Sequence, residues 1–449
     1  MSKNLNMTQG SPLKLLIRFA LPLMFGNVFQ QLYTVVDTAI VGQGVSMAAL
    51  AAIGSVDWLN WMLLGVAQGF TQGFSVRIAQ KFGQGDKKGL QLFMAQSAIA
   101  SVVLAVLCTG LGQAALPLFL RLLRVPEELI QMSSLYVRII FAGLPAVFFF
   151  NYCSSMLRAV GDSKTPLIAM VVAALTNIVL DLVAVFVLHW GIAGAAGATV
   201  FAQCLSGLIC LLKICRTPQL RFTKQDMALR WDVLSNLMKI GMPVASKNIM
   251  VALGGIAITT VVNTFGTAFI AGFTATNKLY GLLEIAAISY HYAVTTYVGQ
   301  NYGAMRFDRI RDGMKSAAIL ATATSVVIAA VMILFGRPIT MLFISTADGA
   351  QAAIAGDIAY QYLCIMAYCL PVLYMLYLLL SALQGMGDTV RPMMSGIVEL
   401  VLRVCIALIV TYTGHETGIF WAETAAWTGA TAYLAYHFIK RTKKGLSQM

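Results

Sequence analysis

Apolar runs of about twenty residues recur along the whole chain, and nothing else limits its fold so strongly. Within a bilayer the backbone must satisfy its own N–H and C=O groups, so runs of this length read as membrane-spanning helices. Twelve can be drawn, at roughly 14–41, 50–80, 92–118, 132–157, 166–188, 193–215, 235–263, 269–300, 314–336, 354–384, 393–413 and 417–439. Composition agrees, because 449 residues that are 59% hydrophobic and 11% charged cannot cover a soluble protein of this size. The polar opening MSKNLNMTQGSPLK precedes the first run without a small-residue cleavage site, so no cleaved signal peptide is expected.

The formal net charge of +13 does not point to nucleic acid, because lysine and arginine gather in short segments between spans. Segments after even-numbered spans and both tails hold the clusters Lys81/Lys87/Lys88, Arg216/Arg221/Lys224/Arg230, Arg306/Arg309/Arg311 and Lys440/Arg441/Lys443/Lys444. Segments after odd-numbered spans hold little beyond Arg121, Arg124 and Arg337. The positive-inside rule then places both termini in the cytoplasm, for a multi-pass protein of the plasma (inner) membrane. The eight cysteines lie in or at the ends of apolar spans and form no CxxC pair, so they read as buried thiols.

A long polar connection from Arg216 to Asp232 divides the chain near its middle, giving an N-terminal lobe of residues 1–220 and a C-terminal lobe of 221–449. The halves repeat. Pro22 and Asn27 match Pro243 and Asn248 at an offset of 221, while Asp57, Gln80 and Gly83 match Asn277, Gln300 and Gly303 at 220. LRAVGDSKTP (157–166) matches LQGMGDTVRP (383–392) at 226. Six spans per half give both repeats one orientation, related by an axis along the membrane normal with a cavity between them. In the GD-x-x-x-P loops the glycine ends one helix, and Asp162 or Asp388 caps the next.

Polar residues inside spans mark candidate function, since a carboxylate in a bilayer is costly and faces a polar cavity. In the first span, Gln30, Thr34 and Asp37 share a helical face, with Asn27, Gln31 and Tyr33 beside them. Pro22 removes a backbone donor early in that span and is expected to bend it as a hinge. Span 5 adds Asn177 and Asp181 one turn apart, and span 6 adds Thr199. Two carboxylates, an amide and a hydroxyl form an oxygen cage suited to a proton or a sodium ion. Asp57, Trp61, Gln68 and Gln72 follow helical spacing along span 2 and are expected to line the cavity. The second half carries Lys247, Lys278, Glu284, His291, Glu399 and Arg403; Glu399 and Arg403 are spaced for an ion pair, and His291 reads as satisfied among aromatic rings.

No P-loop, GxSxG, HExxH or ATP-binding domain is present, so no enzymatic activity is expected and transport must draw on an ion gradient. The chain resembles the multidrug and toxic compound extrusion (MATE) family, in its DinF-like branch, over nearly its whole length. The resemblance rests on ALP (20–22), QQLYTVVD (30–37), VGQNYGA (298–304), both GD-x-x-x-P loops, and NIVLD followed by GIAGAAGATV. It implies twelve helices in two pseudo-symmetric six-helix lobes, an all-α integral membrane fold, and antiport of protons or sodium against cationic or amphipathic compounds. It also implies a cation site at Asp37, Asn177, Asp181 and Thr199, with Tyr33, Pro22 and Asn151 as neighbours. A second branch of the family uses an acid in span 7, where this chain has Lys247 and Asn248.

Small-molecule drugs are therefore the expected partners of a monomer that needs no cofactor beyond its coupling ion. An alternative is a flippase for lipid-linked oligosaccharide or another anionic lipid, for which Lys247, Lys278 and Arg403 would contact a headgroup. The 226 offset maps Asn177 onto Arg403 and Asp181 onto Ala407, so the second half has lost the acid and gained a fixed positive charge. A unit charge ~8 Å away at an effective dielectric of ~20 costs a bound cation about 2 kcal/mol, which predicts a single coupling site in the first half.

Overall fold

The computed structural model describes residues 5–123, 125–341, 344 and 350–446; Arg124, counted above among the charges of the odd-span segments, lies outside them. Fourteen α-helices follow in order: α1 Pro12–Gly44, α2 Met47–Ser55, α3 Asp57–Gln84, α4 Lys87–Leu122, α5 Glu127–Ala142, α6 Leu144–Ala159, α7 Lys164–Leu182 and α8 Gly191–Arg216. After the connection they continue as α9 Trp231–Val262, α10 Thr267–Gly303, α11 Phe307–Met341, α12 Ala350–Gly385, α13 Val390–Thr413 and α14 Trp421–Leu446. Among the described residues there is no strand.

Two of the expected spans are broken. Helices α2 and α3 part at Val56, and α5 and α6 part at Gly143 with a bend of 43°. The second break has a plain cause in Pro145, which cannot donate to the turn before it. Counting each broken pair once turns fourteen helices into twelve spans. Eight helices, or nine with the bent pair, are apolar enough to be recognised alone. Helices α3, α10 and α14 fall short because they carry polar side chains inward, such as Gln72, Gln80, Gln300 and Thr424.

The seam between the halves is made where α3 packs on α9 and α10 packs on α1. Small residues allow that approach: a Cβ added to Gly73 would lie 2.6 Å from the Cα of Gly241. The repeat-related asparagines both cross the seam, Asn27 Nδ2 donating to Ser289 Oγ at 3.2 Å and Asn248 Nδ2 to the Gly65 carbonyl at 2.8 Å.

At the end of the bundle that holds both termini, the seam is closed by a two-fold pair of contacts. Gln80 Nε2 donates to the carbonyl of Gly385, and Gln300 Nε2 to that of Ala159, each at 2.9 Å. Ala159 and Gly385 are themselves partners at the 226 offset. Beside them α3 and α10 cross so tightly that a Cβ on Gly83 would strike the Gln300 carbonyl, and one on Gly303 the Gln80 carbonyl.

An N-terminal strap lies over this closure. Leu5 N donates to the Gly161 carbonyl of the first half at 3.4 Å. Met7, fully buried, donates its N–H to Gln300 Oε1 at 2.9 Å, and its carbonyl accepts from Asn301 Nδ2 at 3.0 Å. Arg309 Nη2 reaches the carbonyls of Met7 and Gly10, and Arg306 Nη1 that of Thr8. The GD-x-x-x-P loops form as expected. Gly161 and Gly387 adopt φ of +90° and +79°, and Asp162 accepts from the backbone N–H groups of Lys164 and Thr165.

Candidate functional site

The polar stripe of α1 divides between two neighbours. Asn27 turns to α10 through Ser289, and Gln31 packs toward Gly281 of the same helix. Gln30 and Tyr33 turn the other way and, with Asn177, Thr199, Gln203 and Ser206, line a cavity of about 30 Å³ among α1, α7 and α8. That volume suits one or two waters, not a drug-sized molecule. Thr34 stays exposed and donates to its own helix at the Gln30 carbonyl.

Asp37 of α1 and Asp181 of α7 stand within electrostatic range of each other. Asp181 is fully buried and Asn177 is 1% exposed. Both oxygens of Asp181, both amide atoms of Asn177, one oxygen of Asp37 and Gln203 Oε1 are buried with no hydrogen-bond partner. Leaving one such polar group unsatisfied costs about 1–3 kcal/mol, and more when it is charged. A constellation of oxygens with this much unmet demand fits a proton and a small hard cation. Thr199 Oγ1 gives its hydrogen to the Ala195 carbonyl at 3.1 Å, which leaves its lone pairs free toward the cavity.

Two features of this region carry no sequence signal. Directly after Asp181 the helix widens into a π turn, Val183–Val187, of the kind that recurs at functional sites. Gly44 lets the end of α1 press on it, since a Cβ there would lie 2.8 Å from the ring of Phe186. Tyr136 of α5 stands within electrostatic range of Asp37, Asp57 and Asp181. Asn151, expected beside the site, donates its amide to the Val147 carbonyl of its own helix, and Phe150 lines the cavity instead.

With this geometry in hand, known proteins can be compared. The family model described as MatE matches residues 22–183 and again 243–409, and each match begins at one of the repeat-related prolines. The chain belongs to the MatE family. The probable multidrug resistance protein YpnP of Bacillus subtilis is 28% identical over 97% of both chains. DNA damage-inducible protein F of Escherichia coli is 26% identical over 76% of this chain and 74% of its own. Among solved structures, an outward-facing multidrug resistance MATE family transporter superposes with a TM-score of 0.91, at 24% identity over 99% of each chain. This MatE chain is thus a multi-pass membrane transporter with the fold that its motifs imply.

The second lobe of the MatE chain is furnished differently at the equivalent positions. Arg403 is 3% exposed, and its Nη2 pairs with Glu423 at 2.6 Å and with Glu399 at 3.7 Å. Lys247 approaches Glu399 at 3.8 Å. The ion pair expected from the Glu399/Arg403 spacing forms, and Glu423 of α14 adds a second, shorter one. Glu284 accepts from the hydroxyls of Tyr280 and Tyr377 at 2.7 and 2.6 Å. Lys278, Asp57 and Trp61 are exposed toward the opposite end of the bundle, while Gln68 is half-buried on α3.

His291 is satisfied across the seam. Gln72 bonds to its Nε2, while Nδ1 and Ser381 Oγ lie 2.6 Å apart. Ser381 donates its own hydrogen to the Tyr377 carbonyl, which leaves its oxygen free to accept from Nδ1. Arg403 supports a structural prediction. Arg403→Gln leaves Glu423 without its cation and Glu399 with only the longer Lys247 contact, and breaking such a buried pair costs about 3–5 kcal/mol. The variant should melt well below the parent in a thermal-shift assay yet, where folded, keep parental ion binding in the first lobe.

Proposed function

We propose that the protein is a cation-coupled antiporter, driven by protons or sodium, that exports cationic or amphipathic small molecules by alternating access. The observation that carries the reading is the group of unpartnered buried oxygens contributed by Asp37, Asn177 and Asp181 beside the Thr199 cavity. Two adjacent carboxylates in a buried place repel each other, so the pair favours holding one proton or one metal cation. Exchanging that occupant with either side of the membrane supplies a coupling step. On this reading, residues 1–220 form the lobe that senses the ion and 221–449 the lobe that moves against it. The protein acts as a monomer in the plasma membrane with both termini in the cytoplasm.

The flippase reading loses its support. Lys247 and Arg403 face carboxylates of their own lobe, which leaves Lys278 without the companions that an anionic headgroup would need. Relatives described as multidrug resistance or multidrug export proteins, YpnP among them, point the same way. The deciding experiment is efflux of a fluorescent cationic dye from proteoliposomes under separately imposed proton and sodium gradients. Efflux that neither gradient accelerates would overturn the proposal.

Pro22 bears on how the ion's arrival is transmitted. Helix α1 runs without interruption from Pro12 to Gly44, with Pro22 about four turns before Asp37. We assign Pro22 the role of a hinge, because the missing backbone donor makes bending easiest there. Pro22→Ala should cut turnover several-fold in the dye assay while leaving ion affinity unchanged; native turnover would exclude the hinge.

A further inference from the structure

At the bundle end that holds the termini, α13 begins and α14 finishes side by side. Arg391 on the first turn of α13, with His437, Lys440 and Arg441 on the last turns of α14, line an open cavity of about 230 Å³. Asp388, just ahead of α13, ties the two arginines together: its Oδ2 pairs with Arg391 and, at 2.8 Å, with Arg441 Nη1. Arg441 Nη2 also reaches the Met386 carbonyl at 3.3 Å, so the guanidinium groups are positioned rather than free to wander. Two guanidinium groups and one ammonium against one carboxylate leave a surplus of two positive charges. Lys440 has an aromatic neighbour, its Nζ lying 5.8 Å from the Tyr436 ring centroid.

Large apolar side chains stand exposed on the same turns: Val390 at 54%, Tyr436 at 60% and Ile439 at 52%, with Met394 one turn further along α13. A rigid pair of guanidinium groups suits a phosphodiester, because each planar fork can offer two parallel N–H donors to phosphate oxygens. Exposed apolar groups beside it would be a liability for a water-borne anion, but they match acyl chains. Basic pockets between membrane helices on the cytoplasmic side bind acidic lipid headgroups, and such a site here rests on the termini being cytoplasmic as proposed above.

We propose that this cavity binds the headgroup of an anionic phospholipid, with the phosphodiester on Arg391, Lys440 and Arg441 and the acyl chains along Val390, Met394 and Ile439. The site belongs to two adjoining helices of one lobe. It therefore stays intact while the lobes move and anchors the second lobe to its leaflet.

The test uses the full-length protein purified in detergent, with palmitoyl-oleoyl phosphatidylglycerol as probe, phosphatidylcholine as the uncharged control and inorganic phosphate as competitor. Native mass spectrometry should show phosphatidylglycerol retained in preference to phosphatidylcholine. Removing one surface cation should weaken retention about fivefold. Lys440→Gln is the first variant, because among the described residues no carboxylate pairs with that side chain and the fold should survive. Arg391→Gln is the second. Equal retention of the two lipids, or unchanged retention in both variants, overturns the proposal. Displacement of phosphatidylglycerol by millimolar phosphate would make the cavity a site for a free anion, which also overturns it. Because detergent exposes both ends of the bundle, the outcome does not depend on which side of the membrane the termini occupy.

Discussion

Asp37→Asn and Asp181→Asn should each abolish gradient-driven efflux while leaving the protein folded. Asparagine keeps the shape of the side chain and removes its charge. At ~4 Å and an effective dielectric of ~20, one negative charge contributes about 4 kcal/mol to holding a cation, roughly a thousandfold in affinity. Stability should barely change, because both Asp181 oxygens and one Asp37 oxygen have no hydrogen-bond partner to lose. Isothermal sodium titration and proton-release measurements, run beside thermal melts, separate these effects. A binding signal that persists in the double variant but vanishes in Glu399→Gln or Glu284→Gln would place the site in the other lobe.

The second large effect concerns the closed end. Gly83→Val puts a branched side chain where a Cβ alone would strike the Gln300 carbonyl. Backbone cannot swing aside as a flexible side chain can, so α3 and α10 must separate. Separation also breaks the Gln80 and Gln300 amide bonds, each contributing about 1 kcal/mol. The variant should lose the sealed state and transport at least tenfold more slowly. Spin labels at Gln84 and Met305, both exposed near the ends of these helices, report the separation as a longer distance. Gly303→Val should do the same from the other half, since the crossing is two-fold. A parental distance together with parental turnover in either variant would refute the seal.

Much of this was legible in the sequence. The twelve runs, the GD-x-x-x-P loops and the 226 offset predicted helices, caps and a repeat, and α13 carries Arg403 and Ala407 on its buried side just as α7 carries Asn177 and Asp181. Helical spacing brought Gln30 and Asp37 to one face, because both are fixed by local geometry. It did not reveal that Asn27 and Gln31 leave the stripe for α10, since which neighbour lies on which side is a tertiary fact. Gln203 and Tyr136 were missed for the same reason: glutamine and tyrosine in a span acquire meaning from what faces them. The Glu399–Arg403 pair was legible from its four-residue spacing, but the shorter contact to Glu423 was not, because that partner lies on another helix and no spacing rule links the two. The strap around Met7 was invisible, being a short polar tail whose order comes from distant partners such as Gln300, Asn301 and Arg309.

That strap has a consequence for how the protein is made. Met7 and Gln300 stand 293 residues apart, so at ~5–20 residues per second the tail leaves the ribosome about 15 to 60 s before its receptor exists. Until then only Gly161 is available to it, and the first lobe waits in the membrane with its inner rim unlatched. With both termini in the cytoplasm, as proposed above, the nascent tail would wait unlatched on that side through most of translation. A bulky fusion placed directly ahead of residue 5 should disturb maturation more than the same fusion after α14, even if the finished transporter tolerates both.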